Sequence, residues 1–143
     1  MDYELMFSVA GMVAMAGWLI LLTSPLLPEW AIRVAGEGIP ATMSLGYVVL
    51  IAVAPAETGG FGTFAEVRDL FSHPQALMAG WVHFLAFDLF VGGWICRTAR
   101  AEQIRLWFVL PCLPVTFLFG PAGYLCFQIV RGLAARGPVR QMA

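Results

Sequence analysis

The sequence of 143 residues contains no lysine, and only 12% of its residues are charged. All of its basic residues are arginine, and the formal net charge is −1. A chain with so little positive charge has no basic patch of the kind that follows a nucleic-acid backbone, so nucleic acid is excluded as a partner. The residues are 60% hydrophobic, and the mean hydropathy is +0.81. A water-soluble domain of this size could not bury so large a share of hydrophobic residues. The composition therefore predicts an integral membrane protein in contact with a lipid bilayer.

Cysteine and histidine are also scarce, which limits the disulfide and metal chemistry open to the chain. Cys96, Cys112 and Cys126 lie in or beside apolar runs, and their spacing matches neither a disulfide framework nor a Cys-x-x-Cys motif. We interpret them as small buried hydrophobic side chains. His73 and His83 would lie about 15 Å apart along one helix, too far to share one metal ion. The sequence therefore predicts neither a metal site nor a bound cofactor.

Long apolar runs dominate the sequence, and four of them reach the roughly 20 residues that a membrane-spanning helix needs. The first run follows Asp2 and Glu4 instead of the basic residues of a signal peptide, so we expect it to remain in the mature protein. Short connections join the runs into one transmembrane domain over residues 1–143. The predicted fold is all-α, an integral membrane four-helix bundle. The predicted spans are residues 5–23, 30–54, 74–96 and 104–130.

The fourth apolar run is interrupted by Pro111, Pro114 and the Gly120-Pro121 pair. Proline cannot donate a backbone hydrogen bond, and its ring displaces the preceding turn, so we predict a proline-broken fourth helix with free carbonyl groups. Broken backbone at membrane depth is tolerated only where protein or a cavity satisfies it. The break could open a ligand groove beside the third helix, or it could serve helix packing alone.

The distribution of arginine does not fix the orientation of a four-span chain. In that topology both termini share a side with the long connection 55–73, and four arginines fall on each side. The long connection carries Phe61, Phe64 and Phe71, which predict a segment lying along the membrane interface as a lid.

Two ionisable residues, His83 and Asp88, lie inside the third apolar run. A carboxylate at mid-membrane costs roughly 2.5–3.5 kcal/mol on insertion scales, and such groups usually face the interior of a bundle and mark functional sites. The two residues are separated by about 140° around a helix, so each needs a partner from another helix. The alternatives are a structural hydrogen bond for Asp88 and an ordinary core position for His83.

Glu37 is a third ionisable group, within the second span. An ion pair with Arg33, four residues earlier, is sterically available. The functional alternative is that Glu37 reaches Asp88 or His83 across the bundle, which would give a carboxylate and imidazole set suited to proton transfer.

A family resemblance covers roughly residues 5–131. It rests on His83-Phe-Leu-Ala-Phe-Asp88-Leu-Phe-Val-Gly92-Gly-Trp94 and on Thr116-Phe-Leu-Phe-Gly120-Pro121-Ala-Gly123. The chain resembles the abscisic-acid-deficient-four-like family, whose plant members are needed for neoxanthin synthesis. The resemblance implies a four-helix membrane protein linked to carotenoids. In the plant reaction, the 5,6-epoxide of violaxanthin opens while a neighbouring proton leaves to form an allene.

That chemistry needs an acid at the epoxide oxygen and a base at carbon, which by position implies Asp88 and His83 with help from Glu37 as the catalytic residues. The candidate ligand-binding residues share a face with these groups or lie near the break in the fourth helix. They are Trp81, Phe84, Phe87, Trp94, Phe117 and Gly120.

Two functions remain open from the sequence. The first is a carotenoid isomerase-like enzyme that moves protons on a xanthophyll or related isoprenoid without a cofactor. The second is a noncatalytic carotenoid-binding subunit of a membrane pigment–protein complex, with other membrane subunits as partners. A small solute carrier is disfavoured, because the spans contain few polar groups. The absence of a plastid-type transit region favours a bacterial member of the family in the inner membrane.

Overall fold

A computed structural model describes residues 1–53 and 58–136. Within these ranges the secondary structure is helical, as predicted, and no strand occurs. Four of the helices are long and apolar enough to cross a membrane, which indicates a membrane protein. The helices are α1 (Tyr3–Leu22), α2 (Glu29–Val53), α3 (Phe64–Leu70), α4 (Pro74–Ala101), α5 (Leu106–Val109) and α6 (Cys112–Arg136).

The first two long helices form a hairpin around a short proline-containing turn. The side chain of Asp2 caps α1 by accepting a hydrogen bond from the Leu5 backbone N–H at 3.0 Å. A single 3₁₀ turn over Ser24–Leu26 joins the helices. Helix α2 contains one π-helical turn, Val34–Gly38, just before Pro40. Pro40 has no N–H to donate to the carbonyl four residues earlier, so the regular ladder cannot continue through this turn.

Helix α4 is the centre of the fold, because the other long helices pack on it. It begins at Pro74, where the third predicted span begins, and His73 is its N-cap residue. Two adjacent glycines of α4 allow two other helices to pack closely on it, α1 at Gly92 and α2 at Gly93. A Cβ at Gly92 would lie 2.8 Å from the ring of Trp18 in α1, and one at Gly93 would collide with the backbone of Gly36 in α2. The smallest residue is therefore required at both positions.

The fourth long helix does not run straight across the bundle. Helical backbone angles fail at Phe119 and Gly120, where φ/ψ are −143°/41° and 3°/−73°. The Sγ atoms of Cys112 and Cys126 lie 3.2 Å apart. A straight α-helix would separate these residues by about 21 Å, so α6 folds back on itself at the break. It forms a helical hairpin with a first arm over 112–118 and a second arm over 121–136.

The hairpin enters and leaves at the same end of α4. Its tip at Gly120 rests against Asp88, midway along α4, whereas Arg131 in the second arm forms an ion pair with Glu102 just beyond the end of α4. The prediction of a broken fourth helix is confirmed at Gly120. The predicted four-helix bundle is not confirmed for the fourth run, because this run reaches about half the depth of α4 and returns. Arg131 therefore lies at the end of α4 that is opposite the connection 55–73.

The connection between α2 and α4 packs partly against the outer face of α4. Residues 54–57 of the predicted interfacial segment 55–73 lie outside the described residues. In the described part, the backbone of Gly59 has φ +88° and lies against Leu70, where a Cβ would collide with the Leu70 backbone. The ring of Phe71 lies over Gly80 of α4. These contacts place the segment beside the start of α4.

Candidate functional site

Asp88 lies buried at the tip of the α6 hairpin. It is 8% exposed, and no other charged residue among 1–53 and 58–135 is as deeply buried. Its carboxylate rests on Gly120, where an added Cβ would overlap Asp88 Oδ1. The second oxygen, Oδ2, is buried without a hydrogen-bond partner among the described residues. The expectation that Asp88 turns toward another helix is therefore confirmed.

Asp88 lies where the two arms of the hairpin meet. The end of the first arm carries partial negative charge and the start of the second arm carries partial positive charge, so the two helix ends largely offset each other at the tip. The contact that the structure gives Asp88 is the packing of its carboxyl group on Gly120. Asp88 therefore joins α4 to the break in α6.

His83 lies on a different face of α4 and is exposed at the protein surface. Its ring stacks on Phe87, with centroids 4.6 Å apart and planes at 20°, and it faces the ring of Tyr47 from α2 at 5.6 Å. The expectation of a partner on another helix is met by Tyr47. The expectation of a buried imidazole is wrong, because within residues 1–53 and 58–136 no helix covers the His83 ring, which borders α2 only through Tyr47.

Glu37 joins neither of these groups. Its Oε1 lies 3.2 Å from Nε of Arg97, near the end of α4, and Arg33 pairs instead with Glu29 at 2.6 Å. Both alternatives for Glu37 are therefore wrong, the pair with Arg33 and the contact with Asp88 or His83. The Arg97 guanidinium lies beside Gly36 and reaches Glu37 where α2 and α4 cross at Gly36 and Gly93.

An apolar groove of about 600 Å³ lies beside His83, between α2 and the first half of α4. We name it the aromatic groove. The connection between α2 and α4 supplies part of its wall, and the aromatic residues that line it are Tyr47, Phe61, Phe71, Trp81 and His83. A groove of this size falls within the range of about 300–1,000 Å³ that is usual for small-molecule sites.

A second groove of about 410 Å³ lies on the other side of Trp81. Tyr3, Glu4 and Phe7 of α1 line it together with the first turns of α4. The indole of Trp81 stacks on Phe7 with centroids 5.2 Å apart and on Phe84 at 5.6 Å, and it separates the two grooves. Asp88 and Glu37 are absent from the walls of both grooves.

The predicted ligand-binding residues divide into two groups. Trp81 lines the aromatic groove, and Phe84 and Phe87 stack beside it on Trp81 and His83. The other three belong to the hairpin region, where Trp94 contacts Tyr124 and Phe127, Phe117 contacts the edge of Trp18, and Gly120 forms the tip. The structure therefore places the six residues in two separate parts of the fold.

Sequence reasoning missed most of the groove. Tyr47 of α2 lines the aromatic groove and Phe7 of α1 lines the second groove, and no spacing in the sequence marks either one as a wall residue. Phe61 and Phe71 were identified as interfacial, but nothing in the sequence gives the helix against which they pack. The one available signal was Gly80, whose missing side chain leaves room for the ring of Phe71.

A family model described as ABA DEFICIENT 4-like matches residues 5–127. The match covers most of the chain, including α4, the hairpin tip and the walls of the aromatic groove. The chain belongs to the ABA DEFICIENT 4-like family. No curated protein and no solved structure matches the chain.

The ABA DEFICIENT 4-like family is linked in general to carotenoid and neoxanthin biosynthesis. Membership confirms the resemblance that the His83–Trp94 and Thr116–Gly123 motifs carry. Both Asp88 and Gly120, which the fold brings into contact, fall inside the matched residues. The matched region ends before Arg131, which forms the ion pair with Glu102 at the open end of the hairpin.

Proposed function

We propose that this member of the ABA DEFICIENT 4-like family binds a carotenoid or related isoprenoid in the aromatic groove. The observation that carries the proposal is the placement of five aromatic rings around about 600 Å³ of apolar space on the outer face of a membrane helix. A long apolar ligand dissolved in lipid could enter such a groove laterally, without passing through water. Family membership favours a carotenoid over other apolar ligands.

The chemistry of the walls suits a polyene. Aromatic side chains bury large apolar areas, and their rings pack in offset or edge-on arrangements against other π-systems. Trp81 and Phe71 project from different elements and flank Gly80, whose missing side chain widens the groove floor. A linear carotenoid is longer than the groove, so the groove would hold one end of the molecule and leave the rest among the lipid chains.

His83 supports isomerase-like catalysis as a second candidate function. A neutral imidazole near neutral pH can accept a proton and later return it. In an epoxide-to-allene isomerisation, His83 would take the proton from carbon and deliver it to the oxygen released by ring opening, with no net gain or loss of protons. The proposal assigns this role to His83, because Asp88 and Glu37 lie outside the groove. The noncatalytic alternative is a carotenoid-binding subunit that associates with other membrane proteins.

Expression in a carotenoid-accumulating host tests binding and chemistry together. Ala76→Trp would fill the groove from a half-buried wall position, and Ala41→Trp places the same side chain on an exposed position of α2 outside both grooves. We expect pigment to copurify with the wild type and with Ala41→Trp and to be lost with Ala76→Trp. Equal pigment in both variants would refute the groove as the binding site.

The same host separates the catalytic and noncatalytic functions through His83→Gln, which keeps an amide of similar length but cannot exchange protons near neutral pH. Catalysis by His83 predicts that the variant retains bound pigment and that extracts lose the product found with the wild type. A binding subunit predicts extracts of unchanged composition for both proteins.

A further inference from the structure

The two arms of the α6 hairpin bring Cys112 and Cys126 into direct contact, with the Cys112 thiol donating a hydrogen bond to the Cys126 sulfur. Both are free thiols, and their Sγ atoms lie 3.2 Å apart. A disulfide joins sulfur atoms at about 2.05 Å, so bond formation requires the two sulfurs to approach by little more than 1 Å. The two cysteines stand the same number of residues before and after Phe119, so the reversal itself sets them opposite each other.

We propose that Cys112 and Cys126 form a redox-active dithiol that closes into a disulfide and fastens the hairpin arms to each other. The bond would lie between the hairpin tip and its open end. Closer to the tip, Thr116 packs so tightly against Gly123 that a Cβ on Gly123 would overlap the backbone and hydroxyl of Thr116. Fastening the arms below that contact would hold the tip in place against Asp88.

The surroundings of the pair define the class of oxidant. Cys112 is fully buried and Cys126 is half-buried in an apolar hairpin, so a charged water-soluble oxidant has poor access. A lipid-soluble quinone can reach the exposed side of Cys126. Two thiols then lose two electrons and two protons, the S–S bond forms, and the quinone takes up both electrons and both protons to become a quinol. A dithiol reductant reverses the reaction.

Cys96 provides an internal control. It is also buried, but its Sγ lies 3.6 Å from the hydroxyl of Ser24, in a different part of the bundle. The proposal therefore predicts a specific change from three free thiols to one, and it identifies the remaining thiol as Cys96.

Thiol counting on the full-length protein in lipid nanodiscs tests the proposal. The protein is treated with a fully substituted benzoquinone, which offers no ring position for thiol addition, then denatured and labelled with a maleimide of high mass. We expect the wild type to fall from three labels to one, and to return to three after a dithiol reductant. Cys112→Ser and Cys126→Ser should each keep both remaining thiols, whereas Cys96→Ser should fall from two to none.

Peptide mapping identifies the bond that forms. An intramolecular peptide pair containing Cys112 and Cys126 supports the proposal. Three labels on the quinone-treated wild type, a bond to Cys96, or a bond between two chains would overturn it. Cys126→Ala serves as a second variant if Cys126→Ser fails to fold, because alanine removes the thiol without adding a buried hydroxyl.

Discussion

Asp88 and Gly120 are the residue pair on which the geometry of the hairpin tip depends. The carboxylate occupies the space that a side chain at position 120 would need. Asp88 is also too deeply buried for water to compensate freely for its unpaired oxygen. The contact explains why an acidic residue and a glycine from separate motifs occur in one small region of the fold.

We predict that Gly120→Ala destabilises the protein by about 1–3 kcal/mol, the usual cost of forcing additional atoms into a packed site. Asp88→Ala removes the group that the new methyl would strike, so the double variant should lose less stability than the sum of the two single variants. Thermal unfolding in detergent micelles measures this coupling. Strictly additive losses would show that the two side chains do not compete for the same space.

At the residue scale, the sequence predicted which groups are unusual but not where each one points. Asp88 and His83 were identified because charged and titratable residues are rare in apolar runs. Helical spacing placed them on different faces of α4, which the structure confirms. Helical spacing alone could not show which face of α4 is left uncovered, because that depends on the positions of α2 and α6. For Glu37, the partner Arg97 is distant in sequence and becomes a neighbour only through the crossing at Gly36 and Gly93.

The α6 hairpin is the element that the sequence predicted least well. Gly120-Pro121 gave the position of the break, because a proline disrupts the ladder and a glycine accepts unusual backbone angles. The angle through which the chain turns is not encoded in that pair. Each arm is apolar, and together they have the length of one span, so hydropathy alone cannot distinguish a kinked span from a hairpin that returns.

Two glycines in the second arm test the hairpin directly. A Cβ at Gly123 would overlap the backbone of Thr116, whereas a Cβ at Gly132 would meet no atom within 4 Å. We predict that Gly123→Leu lowers the thermal unfolding midpoint strongly and that Gly132→Leu leaves it nearly unchanged. If the two variants unfold at the same temperature, the arms are not packed against each other at Gly123.

At the scale of the whole molecule, the hairpin changes the distribution of positive charge between the two sides of the membrane. Arg131 lies at the same end as Arg97, Arg100 and Arg105, and Arg33 near the start of α2 also belongs to that end. Arg68 lies at the opposite end, in α3. The four-to-four tie of a four-span chain therefore becomes a clear excess at the open end of the hairpin. By the positive-inside rule, we predict that this end faces the cytoplasm.

We predict that the two termini lie on opposite sides of the membrane. A reporter that fluoresces only in the cytoplasm should be active when fused after residue 143 and inactive when fused before Met1. An enzymatic reporter that works only outside the cytoplasm should give the reverse pattern. Four complete spans predict instead that both fusions give the same result, and that outcome would contradict the hairpin.

The central claim is that a carotenoid occupies the aromatic groove, and tryptophan quenching in nanodiscs tests it most directly. Trp81 separates the two grooves, whereas Trp107 is 63% exposed on α5 at the far end of the bundle. Titration with carotenoid should quench the fluorescence of the wild type and of Trp107→Phe in a saturable manner, and Trp81→Phe should lose most of that saturable component. Quenching that rises linearly with pigment and falls equally in the two variants would mean that the carotenoid is dissolved in the lipid, and it would contradict the claim.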